Sequence, residues 1–240
     1  MALQFDGSTT VLTQASALVA AYPMSFNCWI NPGVSSVTGR VMLIEDGTGA
    51  NEFTLDVGSG TPRAFTKQAG TSAVASASVT VAVSTWAMIT AVFASNISRI
   101  IYVNGVNKGS NTTSNTPSGV TMTVLGADAG LGTTFFNGVI AYPTIWNTAL
   151  SPAECASLYN SGAGLDPRTI EPASLKSFSF LDGSPPYPDS VSAQNWTVTG
   201  TATEVSDPFT FPAVGSSQVT MILTGFGVAG AIVPAVPDPY

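Results

Sequence analysis

The chain of 240 residues contains no histidine, and only 9% of its residues are charged. Without an imidazole it has no Ser-His-Asp or Cys-His nucleophile system, no histidine base and no His-ligated metal site. Basic residues are scarce: Arg40, Arg63, Lys67, Arg99, Lys108, Arg168 and Lys176 are scattered among 14 acidic ones, for a net charge of −7. A phosphate backbone needs a basic stripe that releases counterions, so nucleic acid is not an expected partner. Cys28 and Cys155 are too few for a disulfide framework and lack CxxC spacing; they read as two buried thiols or as a single bridge. The opening MALQFDGSTT has neither a basic region nor an apolar one, so no signal peptide is expected there. The N-x-[ST] sequences at Asn96, Asn111 and Asn195 therefore carry little weight. What remains is carboxylate chemistry or no chemistry.

What is abundant is Val, Ile, Thr, Phe and Trp in short runs, punctuated by 23 glycines and 16 prolines. That pattern predicts an all-β chain. Strands are expected at 3–5, 24–30, 40–45, 52–57, 64–67, 78–83, 86–93, 98–103, 106–108, 122–125 and 137–143. Asn104-Gly105 predicts a tight hairpin, because both central residues of a type I′ turn need positive φ. In 24–30, alternation puts Met24, Phe26, Cys28 and Ile30 on one face and Ser25, Asn27 and Trp29 on the other. One helix is predicted, with Ser151 as cap, Pro152 in its first turn, Glu154 after it and Gly162 beyond the end; Cys155, Leu158 and Tyr159 form its inward face.

Four blocks carry a resemblance: LQFDGSTTVLTQ (3–14), MSFNCWINP (24–32), WAMITAVFASNISRIIYVNGVNKGS (86–110) and FFNGVIAYPTIWNTALSPAECASLYNSGAG (135–164). In these blocks the chain resembles laminin-G-like, concanavalin A-like lectin domains of bacterial surface proteins and phage structural proteins. LKSFSFLDG (175–183) and DSVSAQNWTVTG (189–200) resemble the stretch that normally precedes the opening strand, here in permuted order. The resemblance implies a two-sheet antiparallel jelly-roll sandwich over 1–210, closed by late strands in 175–205. An apolar, Gly- and Pro-rich docking tail would follow at 211–240.

Glycosidases of this fold hold two carboxylates at a fixed separation. The nearest acids are Glu45, Asp46, Glu52 and Asp56, and they read as solvated loop acids beside a hairpin, so no catalytic residue is expected. No cofactor is required. Calcium needs several hard oxygens, which Asp6, Asp46 and Asp128 could supply, although the resemblance also shows Ala141 where relatives carry an acid. A sugar needs exposed aromatic platforms; Trp29 and Trp196 are the least constrained.

The tail has no charge between Asp207 and Asp238. It is too short in apolar residues to span a membrane, and Val219, Met221, Leu223, Phe226 and Ile232 read as a docking segment. The expected function is a non-catalytic structural or decoration protein of a large assembly, a phage virion, bound to other virion proteins through the tail and displaying a module that adheres to glycans. The alternative is a lectin or adhesin, extracellular or at a cell surface, exported without a signal peptide. A glycoside hydrolase is a minor third reading, and a homo-oligomer is compatible with any of them.

Overall fold

The computed structural model describes residues 1–128, 132–209 and 211. Period-two runs of Val, Ile, Leu and Phe pair into two antiparallel sheets, each turning one row of side chains toward the other. The first sheet runs β10 (Val106–Asn111), β9 (Ser98–Val103), β8 (Ala87–Ser95), β3 (Met24–Pro32), β12 (Asn137–Trp146), β1 (Ala2–Asp6) and β15 (Thr203–Val205), with β13 (Leu175–Phe178) also on β12. The second runs β14 (Thr197–Thr199), β2 (Val11–Gln14), β11 (Met122–Leu125), β4 (Gly39–Glu45), β5 (Glu52–Gly58), β6 (Thr61–Gln68) and β7 (Thr71–Ser76). The all-β sandwich and its late closing strands are therefore present: β13 joins β12, β14 joins β2 and β15 joins β1.

Two cores result. Between the sheets lie Phe5, Phe26, Ile30, Ile44, Phe53, Leu55, Phe93 and Trp196. On the outer face of the first sheet, Trp29, Met88, Tyr102, Tyr142, Trp146 and Phe178 pack against helix α1 (Pro152–Tyr159) through Cys155 and Leu158. The alternation of 24–30 explains this division. Met24, Phe26, Cys28 and Ile30 face the inner core, and Trp29 faces the outer one. Cys28 and Cys155 are buried free thiols in different cores, so the single bridge does not form.

Helix α1 starts as its sequence predicts. The Ser151 hydroxyl accepts from the Glu154 amide, and the Glu154 carboxylate accepts from the Ser151 amide at 2.7 Å, closing a capping box. Its body rests on the β9–β10 turn, where Asn104 and Gly105 have φ of 51° and 73°. A Cβ on Gly105 would stand 2.9 Å from Ala156 Cα, so only glycine fits under the helix.

One strand expectation is overturned. Residues 78–83 form no strand; β7 lies earlier, at Thr71–Ser76. The backbone of the later segment bonds instead to strand β10 and to the β5–β6 turn, Ser78 N to Lys108 O and Val81 N to Gly60 O, both at 2.8 Å.

Candidate functional site

The outer face of the second sheet follows from its inner one. On β5, Phe53, Leu55 and Val57 point inward, which turns Glu52, Thr54 and Asp56 outward. Register places Glu45 and Arg40 of β4 opposite Glu52 and Asp56, and Lys67 and Arg63 of β6 opposite the same two acids. Arg40 bridges both acids, 3.0 Å from Glu52 and 2.7 Å from Asp56, with its guanidinium over the Phe65 ring. Arg63 grips Asp56 with two bonds of 2.8 and 2.7 Å, and Lys67 lies 3.4 Å from Glu52.

These acids are not the solvated loop residues expected from the sequence: Glu45 and Glu52 are 0% exposed and Asp56 is 1% exposed. Two connections close over them. Lys67 Nζ donates to Gly49 O in the β4–β5 turn at 2.8 Å, and Arg40 N donates to Thr134 O in the β11–β12 connection at 2.9 Å. Burial pushes the Glu52 carboxyl above its ordinary pKa; Arg40 and Lys67 pull it back, and nearby Asp128 raises it further. Buried carboxylates without partners would cost several kcal/mol each, at about the scale expected for buried ions, and the three cations offset that penalty.

Beside this charge lattice the same face opens into a groove of about 370 Å³. Leu12 and Gln14 point inward on β2, so Val11 and Thr13 point out, next to Thr199 of β14 and Met122 of β11. Thr9 and the β11–β12 connection, through Asp128 and the half-buried Phe135, wall the groove. It thus joins threonines, of which Thr9 already donates its hydroxyl to Asp6, to an apolar surface of valine, thioether and phenyl, a combination suited to a ligand with hydroxyl edges and a C–H face. A wider dish of about 530 Å³ lies at Thr61 and 77–80, but its lining is small side chains with no aromatic ring, acid or amide. Chemistry favours the smaller groove.

The site residues expected from the sequence are placed elsewhere, with one exception. Trp29 is 4% exposed, stacked on Tyr159 at 5.7 Å and edge-on to Phe209 at 4.9 Å. Trp196 is fully buried in the inner core, its backbone paired with Tyr187. Neither ring offers a face to solvent. Asp6 ends β1, where burial alone would raise its pKa but hydrogen bonds from Thr9, Ser8 and Thr10 hold it well below the usual range. Asp46 sits in the β4–β5 turn; burial raises its carboxyl, and bonds from Asn51, Thr48 and Ala50 outweigh this and lower it to about 2. Among the described residues no three of His, Cys, Asp or Glu gather closely enough to hold a metal ion, so Asp6, Asp46 and Asp128 do not meet. Ala141 is buried in the outer core. Asp128 is the exception, since it lines the groove. Val219, Met221, Leu223, Phe226 and Ile232 lie outside the described residues.

The groove threonines and Phe135 escaped the sequence reading. Outward Val11 and Thr13 carry a readable period-two signal, but only the tertiary fold brings Thr199 and Phe135 beside them.

A family profile described as the concanavalin A-like lectin/glucanases superfamily matches residues 5–156. Among solved structures, a proposed carbohydrate binding protein from Bacteroides ovatus ATCC 8483 aligns with TM-score 0.63 and 15% identity over 87% of this chain; the chain spans 61% of that protein. A heptameric SAP-like pentraxin from Limulus polyphemus aligns with TM-score 0.59 and 14% identity, over 84% of this chain and 93% of that one. Domain 4 of AbnA, a GH43 extracellular arabinanase from Geobacillus stearothermophilus solved with arabinotriose, aligns with TM-score 0.52 and 17% identity, over 65% and 74%. These likenesses concern the fold. The comparison with curated proteins gives no match.

Proposed function

The chain belongs to the concanavalin A-like lectin/glucanase superfamily, and from that premise we propose that it binds carbohydrate without turning it over, in the groove formed by β14, β2, β11 and the β11–β12 connection. The observation that carries this reading is the groove's lining, in which Thr9, Thr13 and Thr199 stand with Val11, Met122 and Phe135. Sugars present such a mixture, hydroxyls around the ring and a C–H face across it. The structural neighbours described as carbohydrate binding and as an arabinotriose complex support the same reading. The non-catalytic part rests on the acids: Glu45, Glu52 and Asp56 have almost no exposed surface, and Arg40 clamps two of them. Calcium is proposed at most as an accessory, because Asp6 and Asp46 already accept hydrogen bonds from their own turns.

Isothermal titration against neutral oligosaccharides, in calcium and in EDTA, tests the reading. Saturable binding lost in Phe135→Ala and Thr13→Val supports it. Release of reducing ends that disappears in Glu52→Gln would instead establish a hydrolase.

Display on a larger assembly, a virion among them, is a finer reading that rests on the low charge and the apolar segment 211–240. In it the tail docks to other assembly proteins or to further copies of the chain, and the glycans met are those of a cell surface. Mass spectrometry of purified particles tests that placement.

A further inference from the structure

Resting on the carbohydrate-binding reading, we infer that the groove selects neutral glycans and rejects sulfated or uronate-bearing ones. Recognition of a sulfate or carboxylate draws on charge-assisted bonds from Arg or Lys. The chain has seven such residues, all of them described, and none lines the groove. The three on the same sheet are committed elsewhere. Arg40 is bound to Glu52 and Asp56, Arg63 to Asp56, and Lys67 to Glu52 and Gly49 O. Arg99 is 0% exposed and donates to Asn111, Thr113 O and Asn96 O, while Arg168 pairs with Asp166. Lys108 and Lys176 have no ion pair among the described residues, and they belong to β10 and β13 of the other sheet.

The neighbourhood offers no surplus of cations either. Behind the groove Arg40, Arg63 and Lys67 stand among the acids Glu45, Glu52, Asp56 and Asp128. The protein as a whole carries −7. An anionic sugar entering the groove would lose hydration, gain no cation, and approach a buried carboxylate at Asp128, which is 1% exposed. A neutral sugar has no such charge to desolvate. It lays its C–H face on Phe135, Val11 and Met122 and exchanges water for the hydroxyls of Thr13 and Thr199.

The test titrates the full chain with neutral cello-, manno-, xylo- and arabino-oligosaccharides and with the sulfated form of each backbone. The expected result is binding of one or more neutral backbones, unchanged within about twofold when salt rises past the range where exposed charges are screened, and at least tenfold weaker binding of its sulfated form. Met122→Lys, checked for an unchanged melting temperature, should recover sulfated ligands in a salt-dependent manner. Wild-type binding of a sulfated ligand as tightly as its neutral parent overturns the selectivity while leaving carbohydrate binding in place. Absence of binding to any glycan in the set overturns the underlying reading, and the selectivity with it.

Discussion

Arg40 is the residue on which the second sheet's outer face depends. Among the described residues it is the single group joining Glu52 to Asp56, and both acids are buried. Arg40→Met should therefore cost about 3–5 kcal/mol, the penalty of leaving buried charge without its partner, read as a lower midpoint in urea unfolding. Glu52 sets a pH dependence of opposite sense to most acids. Its carboxyl is held above the ordinary 4.5, so between that value and its folded pKa the native state binds a proton that the unfolded chain has released. Stability should rise as pH falls from neutrality toward 4.5. Asp46 works the other way: held at about 2 against an ordinary 3.8, it contributes stability above 3.8 that is lost as pH falls toward 2. Melting temperature against pH should thus peak on the acid side of neutrality, and Glu52→Gln should flatten the rise without moving the acid-side fall. The sequence could not show this. Glu52, Thr54 and Asp56 alternate with Phe53, Leu55 and Val57 as a solvent face normally does, and one of the two connections that close over them comes some 80 residues further along the chain.

At the scale of elements, the legible parts were those whose determinants are local. The capping box of α1, the Asn104-Gly105 turn and the two faces of β3 each rest on a few neighbouring residues. The run from Thr71 to Val83, by contrast, is built throughout from small and β-branched residues. Either half reads as a strand, and the choice is made by partners elsewhere, β6 for the first half and Gly60 and Lys108 for the second. The segment after β15 gives an element-scale test. Phe209 lies against Trp29 and Tyr142, its carbonyl accepts from the Tyr142 hydroxyl, and its ring fills the space beside Gly164 that a Cβ would need. Gly164 also has φ of 67°. Gly164→Ala should displace Phe209 and cost about 1–3 kcal/mol from strain and overpacking, with a change in Trp29 fluorescence that a surface substitution would not produce.

For the whole molecule, that segment also ties a late part of the chain to the first sheet. Phe209 and Phe211 pack with Tyr142 on the first sheet, so a chain cut after 211 keeps both rings and one cut after Asp207 loses them. The longer version should be the more stable of the two. The shorter should lose about 3 kcal/mol, on the scale of two partly buried phenyl rings, measured by urea titration of the three lengths. That the late blocks would supply strands was legible in their own residues, as in LKSF and TVT. Which strands they would join was not, since β13, β14 and β15 attach to three different partners.

That attachment has a mechanical consequence. β15 lies antiparallel beside β1 with Ala2 opposite Val205, and the Met1 ammonium meets Asp207 at 2.6 Å. A load applied between residues 1 and 207 would pull at one end of this strand pair and open it rung by rung, like a zipper, rather than shear all its bonds together. β15 should therefore detach at low force while β1 still holds its register of four pairs with β12. A tethered molecule would then gain a short length of slack before the sandwich itself bears the strain.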